Sequence, residues 1–400
     1  MRHAATFARW ARGSGDWRAE ARHWTPCALL RAAARLTDFS VRELARAAVR
    51  LGARADSRRR RARRASVFRR MEIEDELLQI LLPADRVSGD LSDAQRDGNT
   101  PAEPFSLSPE ERIDRLRKLV ATHGLPHSAN EMGTEKFGMC SLRGIVWKAF
   151  LGIGVIPVHN YMNLVAQGPS ADAEKIGNDT IRTFIKNVDF TSRVSPDMLS
   201  RVLNAYCHAR GNTKGTYVQS MSILCAPFLY LMPEPDAFES FSVFLECHVP
   251  EYVNNYRGVF SAFRLFEECL RVADRQLYDH FVGYQLKPEL YAFSTISTLN
   301  ACVPPMSDTV KLWDVQLAFG AYWGVIFTLA RIVNSSALLL SSKEGPGAPL
   351  ITRELEQGLG MNAEAVLKLS FELVQQFDAH LLQRLVKHAI QPPQPEDAGS

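Results

Sequence analysis

Four hundred residues, 46% of them hydrophobic, suffice for one large or two ordinary domains with a sizeable core, which excludes a wholly disordered chain. Seven cysteines, at positions 27, 140, 207, 225, 247, 269 and 302, include no C-x-x-C pair and sit mostly in apolar helical stretches, so buried free thiols in a reducing compartment are expected rather than a disulfide framework. The formal charge of +3 hides an asymmetry: residues 1–70 hold 19 arginines, no lysine and 5 acids, a net of +14, and the rest of the chain is therefore −11.

Residues 1–70 form an Arg-rich tail in which the run Arg58-Arg59-Arg60-Arg61-Ala62-Arg63-Arg64 repels itself in any compact form, so disorder or weak amphipathic helices around 27–54 are expected. Such a tail suits nucleic acid, an acidic membrane, nuclear targeting or an Arg-rich mitochondrial presequence; a solvated tail or an upstream extension of the gene model fits equally. No apolar core followed by a small-residue cleavage site marks a secretory signal. At Met71 the composition flips to Met71-Glu72-Ile73-Glu74-Asp75-Glu76-Leu77-Leu78, which makes an initiator there a reasonable expectation. An acidic and polar lead-in over 71–104 includes the linker Pro83 to Pro104, and the folded body is expected over 105–389.

That body opens with a strong start signal. Ser108-Pro109-Glu110-Glu111 combines an N-cap serine, a proline in the first turn and a capping-box glutamate, ahead of Ile113, Leu116, Leu119 and Val120 at helical spacing. Ser195-Pro196-Asp197 repeats the device before Met198, Leu199, Val202, Leu203 and Tyr206, and Pro235-Asp236 precedes Phe238, Phe241, Phe244 and Leu245. Amphipathic runs from Val259 to Phe281 and from Asn362 to Ala389 follow the same period. Alternation of period two is essentially absent, so an all-α body, a single large helical array, is predicted. The most apolar run, Val315 to Leu340, is interrupted by Gly320, Gly324, Arg331 and Asn334, which predicts a buried helix or two short ones and no transmembrane segment. A loop is expected from Ser341 to Leu350, and the Pro-rich end at 390–400 is expected to be unstructured.

The chemistry-bearing residues are few. No G-x-x-x-x-G-K-S or -T loop and no H-E-x-x-H is present, so neither a P-loop nucleotide site nor a zincin is expected. Cys207-His208 and Cys247-His248 are adjacent pairs that diverge by about 100° on a helix and do not chelate together; core thiols beside surface imidazoles are expected, and no metal. Ile176, Asp179 and Arg182 are spaced by three, so on one helix face Ile176 packs beneath while the acid pairs with the guanidinium and holds it in a fixed pose. About forty residues on, a turn flanked by Gly211 and Gly215 carries Tyr217 and Gln219, and Pro227 is placed to bend the helix that follows. An always-charged planar fork suits phosphate oxygens, and a carboxamide both donates to and accepts from water. A surface ion pair on a core helix followed by a polar turn accounts for the same spacing. Arg143 and Trp147, four apart, meet on one helix face where a guanidinium stacks on indole.

Three stretches in order, Arg143-Gly144-Ile145-Val146-Trp147, Ile176-Gly177-Asn178-Asp179-Thr180-Ile181-Arg182 and Tyr217-Val218-Gln219, resemble the motifs of the TBC domain, the module of Rab-type GTPase-activating proteins. Leu312-Trp313-Asp314 resembles a later block of that family, with a core-packing and capping role. The resemblance implies that Arg182 enters the active site of a partner GTPase, that Gln219 replaces its water-positioning glutamine, that Asp179 orients the arginine's surroundings, and that Arg143 and Trp147 are structural. It implies no cofactor of this chain's own, GTP and Mg²⁺ belonging to a Rab-like, Ras-superfamily small GTPase. Val218 stands where the family commonly has cysteine and Ser220 where it commonly has glycine, so crowding of a partner's backbone at 220 is expected. Lys287 to Thr298 and the turn Gly215 to Gln219 look most like the fungal mitotic-exit member, which implies a cytoplasmic protein at the spindle pole body, working with a scaffold subunit to restrain mitotic exit or septation. A catalytically silent module that binds the GTPase or its regulator is the alternative, and no nucleic acid is expected on the folded domain. If Met71 is the initiator, N-terminal peptide mapping of the protein from cells recovers no peptide upstream of residue 71; any such peptide rules that start out.

Overall fold

The computed structural model describes residues 73–74, 76–81, 108–131, 140–341, 347–357 and 360–392; the basic tail, the 83–104 linker and most of the C-terminal tail lie outside them. Every regular element among the described residues is helical. The helices of eight residues or more are α1 (Pro109–His123), α2 (Leu142–Phe150), α3 (Val158–Val165), α4 (Ala173–Thr180), α5 (Pro196–Ala209), α6 (Ser220–Leu231), α7 (Glu234–Val243), α8 (Arg257–Ala273), α9 (Arg275–Gly283), α10 (Met306–Phe319), α11 (Trp323–Asn334), α12 (Ala348–Glu356), α13 (Ala363–Val374) and α14 (Ala379–Lys387).

Capping chemistry sets many of the boundaries. Ser108 accepts from the Glu111 amide at 3.2 Å while the Glu111 carboxylate accepts from the Ser108 amide at 2.7 Å, closing the expected box at α1. Two runs that look continuous are each divided by an aspartate. Asp274 accepts from the Leu277 amide at 2.9 Å and starts α9, and Asp378 accepts from the Leu381 amide at 2.8 Å and starts α14. An N-cap satisfies amide donors that a continuous helix leaves to its preceding carbonyls; Asp274 ends α8 and begins α9, while α13 stops at Val374 and Asp378 begins α14. The apolar run from Val315 breaks at Gly320, whose φ of 124° ends α10, and no described helix is long and apolar enough to cross a membrane. The helix α12 begins inside the expected 341–350 loop, with Pro349 in its first turn. The folded body also reaches further upstream than residue 105: Leu77 and Ile80 are buried in the core, and Glu76 pairs with Arg115 of α1 at 3.0 Å.

The helices form one array. α4 packs on α5, and α5 and α6 pack on α7; toward the C-terminus α8 packs on α9 and α11, and α11 on α13. α10 joins the two groups by touching α1, α2 and α6 on one side and α11 and α13 on the other. At that junction Arg143 and Trp147 of α2 do share a face, but they converge on a carboxylate instead of stacking on each other. Arg143 Nε donates to Asp314 of α10 at 3.1 and 3.2 Å, Trp147 Nε1 donates to Asp314 at 2.8 Å, and Arg143 Nη2 donates to the Leu125 carbonyl at 2.9 Å. All three side chains are buried, and a buried guanidinium gains more from a paired carboxylate than from a π face. The Trp147 ring lies 5.9 Å from Trp313 and 5.6 Å from Phe228 of α6, and Phe228 lies 5.6 Å from Trp313. α6 is buried almost throughout its length, so this aromatic cluster fixes its axis and the residue that precedes it.

Of the thiols, Cys140, Cys207, Cys225 and Cys269 are buried and free, and burial pushes the first two up to about 12 and about 11. The imidazoles are half-buried, short of the surface groups expected. His208 Nε2 meets the Gly168 carbonyl at 3.0 Å, and burial, with Arg117 nearby, lowers His248 to about 4, so that its ring stays neutral against Phe244. Asp314→Ala is expected to destabilise the fold by about 3–5 kcal/mol, because it leaves the Arg143 charge buried and unpaired; urea denaturation measures the loss.

Candidate functional site

Asp179, Arg182, Tyr217 and Gln219, all singled out in the sequence, line one open depression of about 530 Å³, together with Lys175, Asn178, Val218 and Tyr256. Arg143 and Trp147 are not part of it; they belong to the buried junction. The motif helix does not carry Arg182 as expected. α4 ends at Thr180, and the chain tightens into three-residue turns in which the Arg182 amide bonds to the Asp179 carbonyl at 3.2 Å and the Thr183 amide to the Thr180 carbonyl at 3.3 Å. The hydroxyls of Thr180 and Thr183 donate to the Gly177 and Asp179 carbonyls, at 3.2 and 2.8 Å, as second bonds to acceptors that also take the Ile181 and Arg182 amides. The spacing of three still brings acid and guanidinium together, because a tight turn of this kind places residues i and i+3 side by side.

Asp179 then acts as a fork. One carboxylate oxygen accepts from Arg182 Nη2, and the other accepts from the Tyr217 hydroxyl at 2.7 Å. The Asp179 side chain is 9% exposed while that of Arg182 is 62% exposed, so the carboxylate is anchored and the guanidinium reaches into solvent. Burial, reinforced by the bond to Asp179, raises the Tyr217 phenol well above its usual range and keeps it protonated as the donor. Gln219, two residues later, sits at the N-terminus of α6 with its side chain exposed and making no capping bond. Its carbonyl accepts from Ser222 at 3.3 Å, which fixes the backbone and leaves the carboxamide to project from the rim.

The turn before Gln219 is held by a residue the sequence reading missed. Asp172 accepts from the Gly215 amide at 2.9 and 3.0 Å and from the Tyr217 amide at 2.9 Å. Gly215, at φ 93°, and Gly211, at φ 89°, take the left-handed conformations that aim those amides. Burial pushes the Asp172 carboxyl up, but the amides of Tyr217, Gly215 and Thr216, with the Lys175 ammonium, outweigh it and hold the group below the usual carboxylate range. The only sequence signal was an acid just ahead of a helix, which reads as an N-cap; here the side chain reaches across 43 residues instead of capping α4. Tyr256 is the other missed member, and nothing in its neighbourhood of the sequence marked it. Ser220 is 6% exposed, so the side chain expected to crowd a partner is turned away from the rim, and Val218 is half-buried in the depression. Among the described residues no cluster of three or more His, Cys, Asp or Glu side chains is arranged to hold a metal.

The Rab-GTPase-TBC domain model matches residues 140–340, the segment that carries all three motifs and the Asp314 block. The chain belongs to the Rab-GTPase-TBC family. The putative mitotic check point protein BUB2 of Dictyostelium discoideum is 33% identical over 290 residues, covering 71% of this chain and 76% of that protein. Cell division control protein 16 of Schizosaccharomyces pombe is 33% identical over 287 residues, 70% of this chain and 91% of its own, and the mitotic check point protein BUB2 of Saccharomyces cerevisiae is 28% identical, covering 70% and 92%. The likeness to the fungal mitotic-exit member, expected from the 287–298 segment and the 215–219 turn, thus extends over 287 to 295 residues of the chain. The crystal structure of a Chlamydomonas flagellar RabGAP TBC domain superposes with a TM-score of 0.53 at 18% identity, over 78% of this chain and 93% of that one, and supports the helical array alone.

The TBC site carries a pH signature. Because the folded Asp172 carboxyl titrates below its unfolded value of about 3.9, the stability it contributes is fully present above that value and is lost as pH falls through the folded one. Asp172→Asn is expected to cost about 1–3 kcal/mol near neutral pH and to flatten the acid limb of a stability-versus-pH curve; an unchanged acid limb counts against the assignment.

Proposed function

We propose that Arg182 and Gln219 are the residues through which this chain accelerates GTP hydrolysis by a Rab-like small GTPase. The guanidinium meets the partner's phosphoryl oxygens as charge develops on them, and the carboxamide orients the attacking water. GTP and Mg²⁺ belong to the partner, and this chain holds no cofactor and forms no covalent intermediate. The observation that carries the reading is the joint placement of both side chains on one open depression, tied through Asp179 and Tyr217. Leaving Asp179 is inexpensive for Arg182, since the guanidinium is already 62% exposed and the carboxylate keeps its bond from the Tyr217 hydroxyl, whereas an arginine finger supplies roughly 4–7 kcal/mol of transition-state stabilisation. The balance favours transfer of the guanidinium to the phosphate.

The relatives are named as mitotic check point and cell division control proteins, and on that likeness we place the GTPase in mitotic-exit or septation control, with a scaffold subunit at the spindle pole. The test is single-turnover hydrolysis by a panel of purified small GTPases with and without this protein. Arg182→Ala is expected to lower the accelerated rate by about 10³–10⁵, and Arg182→Ala with Gln219→Ala together to do little more harm than the worse single change, since residues acting as one unit are strongly non-additive. Binding to a GTPase with a rate indifferent to Arg182→Ala overturns the catalytic reading and leaves a silent binding module.

A further inference from the structure

We propose that an aromatic strip beginning at Tyr256 and passing through Phe293 to Phe260 is the surface on which the GTP-bound GTPase docks. The inference rests on the Arg182 and Gln219 reading and adds to it the part of the molecule that recognises the partner's protein surface.

Tyr256 lines the same depression as Arg182 and Gln219, although it comes from a different part of the chain. Tyr256 and Asn255 before it both hold left-handed backbones, φ 56° and 51°, a region that non-glycine residues occupy at a cost and that clusters where surrounding structure over-determines a functional position. The helix α8 starts directly from this kink, the Phe260 amide bonding to the Tyr256 carbonyl at 3.0 Å.

From Tyr256 the rings form a continuous chain. Its centroid lies 5.5 Å from Phe293, Phe293 lies 6.2 Å from Phe263, and Phe263 lies 6.0 Å from Phe260. Phe263 is buried and anchors the series, while Phe293 and Phe260 are 41% and 48% exposed, and Leu290, three residues before Phe293, is exposed as well. Isolated exposed apolar residues are ordinary; a contiguous aromatic run leading out of a polar depression is the composition that protein interfaces favour.

Geometry selects the occupant. A body whose bound phosphate meets Arg182 and Gln219 must cover Tyr256, and with it the adjoining Phe293. A scaffold subunit seated on the strip would compete with the GTPase for that ground instead of assisting it.

The test uses the full chain and whichever GTPase the hydrolysis panel shows it to activate most, loaded with GTP for kinetics and with GDP plus aluminium fluoride for direct titration. Phe260→Ser and Phe293→Ser are each expected to raise KM and Kd on the order of tenfold while leaving kcat within about twofold of wild type. Tyr256→Phe, which keeps the ring, should hold KM closer to wild type than Tyr256→Ser. Thermal unfolding of each variant checks the fold; if either serine variant loses its native transition, Leu290→Ser and Phe260→Gln supply the same readout. Arg182→Ala runs in parallel. A rate unaffected by Arg182→Ala sinks the catalytic reading, while the titrations still decide docking. A rate lost in Arg182→Ala with KM and Kd unmoved in folded strip variants overturns the strip alone, as does loss of scaffold binding with GTPase kinetics intact.

Discussion

The Asp179 carboxylate faces two ways, accepting from Arg182 at one oxygen and from the Tyr217 hydroxyl at the other. The arginine follows α4 and the tyrosine belongs to the turn before α6, so one buried acid converts a separation of 35 residues in sequence into a shared rim. Its two bonds are unequal in kind. The phenol bond is buried, and opening it leaves a polar group without a partner, whereas the guanidinium end stands in solvent and exchanges readily with water. The site is therefore rigid where the glutamine turn is located and free where the arginine must reach out.

That fork works only because its two supports are themselves fixed. α6 is held by burial on nearly every side and by the ring of Phe228 among Trp147, Trp313 and Phe244; those rings depend in turn on Asp314 satisfying Arg143 and the Trp147 indole. The turn from Gly211 to Tyr217 depends on Asp172, which gathers backbone amides that lie outside any helix. Buried carboxylates at 172, 179 and 314 thus each join segments far apart in the chain. A charge taken out of water needs several well-placed partners, and this requirement selects one arrangement of the helices over others that would bury the same apolar area.

Much of this was legible in the residues. Helical period, capping serines and first-turn prolines identified an all-helical body and many of its boundaries, since these signals act within a few positions and tertiary context rarely reverses them. The pairing of Asp179 with Arg182 was also local, and it survived an error about the helix because a tight turn preserves the same neighbourhood. What escaped notice were relations that only the folded chain creates. Arg143 and Trp147 were correctly placed on one face, but the carboxylate that claims both comes from 167 residues away. Asp172 looked like an ordinary cap, and Tyr256 looked like nothing in particular, because neither its left-handed backbone nor its entry into the depression leaves a trace in composition or spacing.

The departures at 218 and 220 show how position outweighs residue type. A serine in place of glycine is a hazard only where its side chain enters space that a partner needs, and Ser220 is buried in the first turn of α6 while Gln219 before it is exposed. Val218 is half-buried beside Tyr217 and presents an apolar wall to the depression without occupying the place of either polar group. The substitutions therefore alter the lining and leave the arginine, the glutamine and the acid that ties their supports together in place. A site built this way tolerates change in the residues between its polar groups far better than change in Asp179, because that carboxylate accepts from both Arg182 and Tyr217.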